Sequence, residues 1–338
     1  MSVAACDRAV VTTTSFPAFG TDVRVEILHA EPEQANAATT DLENRFRRAG
    51  LDWYAFGTGE LARVNGLLLQ GKPASVSAEL SPLIARAIEL HARSDGLFDP
   101  GVCALVRLWR FDSAAALATA GATPPEAEIR ALRARQGTLA DVRFDGHTVS
   151  ATRPLCIDLG GMAKGTALEQ ARAVLARHGI RSALIDIGGS SQLAVGQKGT
   201  RPWFIGLKHP RANGVIGRLA LDGGEAASTS GDYERGYTRD DHHYHHILDP
   251  RTGAPTTGTA SVTVLASDAE RADAASTALM VAGPIRFRAI SAALGIRDAF
   301  LITTSGELLT TPGMARRLRR DNDGRLPVID WPKQAANL

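Results

Sequence analysis

The chain is poor in the residues that would place it in several broad classes. Only three of its 338 residues are cysteine (Cys6, Cys103 and Cys156), and no CxxC pair occurs. An odd count without paired spacing implies neither a disulfide framework nor a zinc knuckle. Cys156, in the apolar run "RPLCIDLGG", reads as a small buried hydrophobe. Such usage points to a reducing compartment. An excess of either charge is also missing. The net charge is +2, too balanced for a nucleic-acid binder. No apolar run approaches the roughly 18 residues that span a membrane. The N-terminal "MSVAACDRAVVTTTSFPAFG" has no basic segment followed by a long apolar one, and no apolar stretch makes Cys6 a lipid-anchor site. The expected setting is cytoplasmic, with no nucleic acid as partner and no membrane span.

What is present suits an ordinary globular protein, with 44% hydrophobic and 22% charged residues. Residues 1–15 read as a flexible tail, followed by a single domain over 16–330 that allows two subdomains. "DVRVEIL" (22–28) alternates as a half-buried strand. A helix ends near Gly50, and "DWYAFGTGELARVNG" follows as a loop. Ser81-Pro82 opens the next helix, with serine as its cap. Residues 112–140, Ala-rich with a Pro-Pro break, read as a variable insertion. "LCIDLGGMAKGTALEQARAVLARHG" reads as strand, glycine turn and helix. "SALIDIGGS" and "SVTVLAS" are strands, the second entering an S-x-x-E capping box at Ser267–Glu270. "AFLITTSGELLTTPG" is a late hairpin turning at Ser305-Gly306. The run "ARRLRR" (315–320) reads as a solvated surface. Strands and helices alternate without a strict βαβ repeat, so the fold class is α+β, with mixed sheets packed against helices.

Four segments carry possible chemistry. In "DLGGMAKG" (158–165) a glycine turn lets a ligand approach bare backbone, and the following helix aims its N–H groups at any anion there. Lys164 sits in that first turn, where the macrodipole favours negative charge. A bound phosphate would make sense of it; otherwise it is a solvated lysine. In "ADAASTAL" (272–279), Asp273 and Thr277 are four apart and share a helix face. Carboxylate plus hydroxyl is a hard-oxygen pair suited to Mg²⁺, or else a surface aspartate beside a back-bonding threonine. "STSGDYERGY" (228–237) is a polar turn able to bond a heterocycle or merely to link strands. "HHYHH" (242–246) crowds four of the nine histidines into five residues. Strand alternation puts 242, 244 and 246 on one side and 243 and 245 on the other, so the four cannot share one metal. His242 and His243 follow a hairpin tip at Arg239-Asp240-Asp241, and His246 is the one expected to point into a site.

Taken in order, "FGT" (19–21), "GELARVN" (59–65), "SDGLFDPGVCALVRLW" (94–109), "IDLGGMAKG" (157–165), "STSGDYER" (228–235), "HHILDPRTG" (245–253) and "DAASTALMVAG" (273–283) resemble the ApbE family of FAD:protein FMN transferases. The resemblance implies an α+β, T-fold-like catalytic unit with FAD in a cleft. It also implies the activity: Mg²⁺-dependent transfer of FMN from FAD, as substrate, to a Thr or Ser hydroxyl of an acceptor protein, releasing AMP. Through it, Asp273, Thr277 and the carbonyl of Gly161 are metal ligands, and Lys164 lies beside the FAD phosphates or adenosine. Phe19 and Leu97-Phe98-Asp99 border the flavin nucleotide, and His246, with His245 as the lesser candidate, contacts FAD. Asp273 and His246 are the expected catalytic pair. Trp53, Tyr54 or Phe56 would cover the flavin. The family's acceptor motif, D-x-x-[ST]-x-A-T, meets "LATAGAT" (117–123) only at its end, with Leu117 where aspartate belongs, which argues against self-modification at Thr123. An FAD pyrophosphatase or a non-catalytic FAD carrier would use the same pocket.

Overall fold

The computed structural model describes residues 11–321. Residues 1–10, Cys6 and the expected domain end at 330 lie outside the described residues. The expected tail does not extend to residue 15, because Val11–Ala18 is already a strand, paired antiparallel with Thr21–Leu28. The tight turn between them is Phe19-Gly20, both at positive φ (54° and 72°), the conformation that a twisted two-residue hairpin demands.

An eight-stranded sheet forms the centre. Its order is Val11–Ala18, Thr21–Leu28, Ala183–Ile187, Ser191–Val195, Ala226–Gly231, Thr259–Ala266, Asp298–Thr303 and Leu308–Thr310. Sheet and helix are mixed along the chain as expected, while within this sheet every neighbour is antiparallel. One face is covered by the helices Pro32–Asp52, Ala163–Arg177 and Ala269–Ala293, whose apolar residues meet Val23, Val25, Ile185 and Val262 in the main core. A smaller core on the other face lies under the hairpin Trp203–Lys208/Val215–Leu221 and the helix Pro312–Asp321. Arg317 of the "ARRLRR" run is not simply solvated: it pairs with Glu225 at 2.7 Å. Burying these two faces is what holds the sheet.

Several local expectations shift. "GELARVN" is a helix, Glu60–Leu68, rather than a loop. Ser81 lies inside its helix and donates to the carbonyl of Gly146 at 2.7 Å; the N–H of Leu80 is accepted by Ser77 Oγ instead, at 3.1 Å. The last long helix is capped by Asp268, whose side chain accepts from the Arg271 N–H at 2.9 Å, rather than by Ser267. That helix runs to Ala293, broken where Gly283 takes φ 63° before Pro284. "LCID" is extended but joins no sheet. The Asn65 side-chain amide donates to the Ile157 carbonyl and accepts from its N–H, both at 2.8 Å, standing in for a neighbouring strand. The 112–140 segment holds two short helices. Its Ile129 and Leu132 pack with Trp109, Phe111 and Tyr244 in a third core.

The cysteine expectation is overturned. Cys103 and Cys156 form a disulfide, with Cα atoms 5.3 Å apart, tying the segment after Phe98-Asp99 to the segment entering the glycine turn. Both are buried, and they are 53 residues apart in the chain, a separation that no CxxC spacing rule detects. Among the described residues, no helix is long and apolar enough to cross a membrane.

Candidate active site

Two helices meet where the glycine turn enters the fold. Gly165 is the crossing point: a Cβ there would lie 2.3 Å from the carbonyl oxygen of Ala269, so only glycine lets these backbones come so close. The Gly165 N–H, one of the free donors at its helix start, donates to Asp273 Oδ2 at 2.9 Å. Asp273 is buried, which pushes its carboxyl above the usual carboxylate range, against the pull of Lys164. Lys164 is half-buried in the same turn and donates from Nζ to Ser190 Oγ. Lys164 and Asp273, singled out in separate segments of the sequence, thus lie at the same helix start.

Thr277 lies one turn beyond Asp273 and half-exposed, facing the glycine turn. A Cβ on Gly161 would stand 3.3 Å from Thr277 Oγ1 and 3.1 Å from the ring of Phe98. Thr277 Oγ1 also meets Ser230 Oγ at 3.3 Å, and that hydroxyl bonds Ser276 Oγ at 2.7 Å. Asp273, Thr277 and Gly161 thus converge. A buried carboxylate, a hydroxyl and a backbone beside them make a hard-oxygen donor set, the chemistry that suits Mg²⁺ completed by phosphate and water. Among the described residues no cluster of three His, Cys, Asp or Glu side chains could hold a metal, so this set depends on oxygens other than carboxylates.

The histidines divide as alternation requires. His242–His245 pairs with Gly236–Arg239 across a tip at Asp240-Asp241, both at positive φ. His243 and His245 stack on one side, and His242 approaches Tyr244 on the other. His245, expected as a nucleotide contact, is instead turned into the fold: Nε2–H donates to the Thr256 carbonyl at 2.9 Å and Nδ1 accepts the Ile247 N–H at 3.4 Å. His246 follows the strand and is half-buried, with Nδ1 3.2 Å from the Arg235 carbonyl. A carbonyl only accepts, so Nδ1 carries the hydrogen and Nε2 keeps its lone pair. Burial holds the imidazole well below its ordinary pKa, and Arg235, His245 and Lys164 push the same way.

The other expected residues occupy a neighbouring wall. Leu97 and Phe98 are buried, Phe98 against the glycine turn. The Asp99 carboxylate points inward and caps its own turn, accepting from the N–H groups of Gly101 at 2.8 Å and Leu139 at 3.2 Å. Burial raises its pKa, against the pull of His91. Phe19 is half-buried and stacks on Trp53, which is itself core and cannot cover a ligand. Phe56 is half-buried beneath the Arg107 guanidinium. Tyr54 is 40% exposed and donates to the Asp112 carbonyl; burial raises its pKa, as do Asp112 and Asp158, while Arg235 opposes. Asp158 was not singled out as a site residue, yet it belongs here. Its carboxyl accepts the Gly160 N–H at 2.9 Å and is raised by burial. Ser190, in the turn after Ile187, and Ser230, in the strand Ala226–Gly231, were not singled out by name; the only signal was the polar character of the segments that hold them.

The fold is an antiparallel-sheet α+β unit that sets a cation, a carboxylate and bare backbone at one helix start. The chain belongs to the ApbE family, whose model matches residues 19–300. It is 38% identical over 332 residues to the FAD:protein FMN transferase of Rhodobacter capsulatus, covering 95% of this chain but 62% of that relative's length. The Vibrio cholerae FAD:protein FMN transferase is 29% identical over 309 residues, 89% of this chain and 91% of its own. The crystal structure of the ApbE protein of Thermotoga maritima superposes with a TM-score of 0.83 at 29% identity, covering 91% of this chain and 99% of that one.

Proposed function

We propose that the protein transfers FMN from FAD to a Thr or Ser hydroxyl of an acceptor protein and releases AMP. The observation that carries this reading is the meeting of Asp273, Lys164, Thr277 and Gly161 at one helix start. The names of its relatives support the same activity. Asp273, Thr277 and the Gly161 carbonyl would hold Mg²⁺. When bound, the ion neutralises the diphosphate and stabilises charge on the departing AMP.

This chain's own groups divide the remaining work. The bare backbone at Gly160-Gly161 and the helix start admit the phosphates, with Lys164 opposing their charge. Phe98, Phe19 and Tyr54 border the flavin end. His246, neutral with a free Nε2, takes the proton as the acceptor oxygen bonds to the FMN-side phosphorus. The bond from that phosphorus to the AMP oxygen breaks, and AMP leaves with the electron pair. The acceptor remains joined to FMN by a phosphoester.

Incubation with FAD, Mg²⁺ and an acceptor protein tests the reading. The expected result is an FMN mass adduct on the acceptor together with stoichiometric AMP. AMP and free FMN without adduct would show that water is the nucleophile. FAD binding without AMP would show a carrier.

A further inference from the structure

The segment Gly231–Arg235 threads past the site and touches it twice. Ser230, just before it, bonds Ser276 and Thr277; Arg235, at its end, offers its carbonyl to both the N–H of His246, at 3.0 Å, and that residue's Nδ1. The arginines around this region are otherwise engaged. Arg211 forks onto Asp232, Arg251 onto Asp249, and Arg133 donates to the Pro250 carbonyl. Arg235 is exposed, and its guanidinium makes no hydrogen bond or ion pair among the described residues. Yet its charge is felt at the mouth, by His246, Asp158 and Tyr54. An arginine held by its backbone against a candidate catalytic histidine, with its fork unengaged, is placed to receive an anion.

We infer that Arg235 is the second cationic arm of the site, forking onto the phosphate oxygens of the bound dinucleotide while Lys164 meets them from the helix start. This rests on the proposed reading of the site as one for FAD. The fork matches phosphate geometry with two parallel N–H donors, which a lysine point charge cannot reproduce. Lys164 already donates to Ser190 Oγ and faces Asp273, so an arginine whose fork is unengaged adds the second cation that a diphosphate calls for.

The test is titration calorimetry of the whole chain with FAD and with riboflavin, in Mg²⁺, for wild type, Arg235→Lys and Arg235→Gln. Arg235→Gln should weaken FAD by about tenfold or more, leave riboflavin unchanged, and keep the wild-type melting temperature. Arg235→Lys should fall between. FAD affinity within about twofold of wild type in Arg235→Gln would overturn the inference, as would equal weakening of FAD and riboflavin, the mark of a purely structural role. If wild type itself binds riboflavin as tightly as FAD, the phosphate reading of the whole site fails and this inference falls with it.

Discussion

Asp273 is held by a backbone N–H and faced by a lysine, so it stays in place whether or not a cation sits beside it. Its substitution therefore separates charge from scaffold. Asp273→Asn should keep the fold and lower AMP release on the order of a hundredfold, since roughly 1.4 kcal/mol is tenfold in rate. Thr277→Val should cost less, because a neutral hydroxyl contributes less to cation binding. AMP release against Mg²⁺ concentration for both variants is the measurement, and wild-type turnover in Asp273→Asn would dismiss the metal assignment. His246 supplies a second residue-scale prediction. Burial, then Arg235, His245 and Lys164, disfavour its proton in the folded state. The unfolded chain takes that proton below about pH 6.5, so this residue erodes stability as pH falls from there towards the depressed folded value. Its imidazole resonance, assigned by comparison with His246→Gln, should titrate well below 6.5. A midpoint at or above 6.5 would show an ordinary solvated histidine.

At the scale of elements, the two glycines of the turn have separable tasks. Gly165 makes the helix crossing possible, and alanine there would drive a methyl into the Ala269 carbonyl. Gly165→Ala should destabilise by ~3 kcal/mol, read from denaturant midpoints. A Cβ on Gly161 would first meet the side chains of Phe98 and Thr277, at 3.1 and 3.3 Å, so Gly161→Ala should leave stability within about 1 kcal/mol while depressing AMP release. Equal stability losses would erase the distinction. These roles also mark what the sequence could reveal. Asp273 and Thr277 share a face by spacing alone, and the strand–glycine–helix order around Lys164 is local. The partners Ser190 of Lys164, Ser230 of Thr277 and Asn65 of Ile157 lie 26, 47 and 92 residues away. No periodicity reaches so far. Local signals also gave Ser81 a capping bond that its helix does not make, and placed the last long helix's cap at Ser267 although Asp268 beside it was as eligible.

At the scale of the molecule, the Cys103–Cys156 bond closes a large loop beside the wall that carries Phe98 and Asp99. The chain-entropy model gives such a loop about 4 kcal/mol as an upper bound. Reductant should lower the melting temperature, and a thiol count on the denatured, unreduced protein should find one thiol of the three cysteines, that of Cys6. Three free thiols would remove the constraint. Such a bond persists in oxidising surroundings. Asn65 ties the same region to the rest of the fold, and its pairing with Ile157 has a consequence in time. An amide outside any sheet ordinarily exchanges its hydrogen for solvent deuterium through small local openings. The Ile157 N–H, buried and accepted by Asn65 Oδ1, should instead exchange as slowly as a central strand. Asn65→Ala should set it free, so one side chain decides how often the floor of the glycine turn breathes.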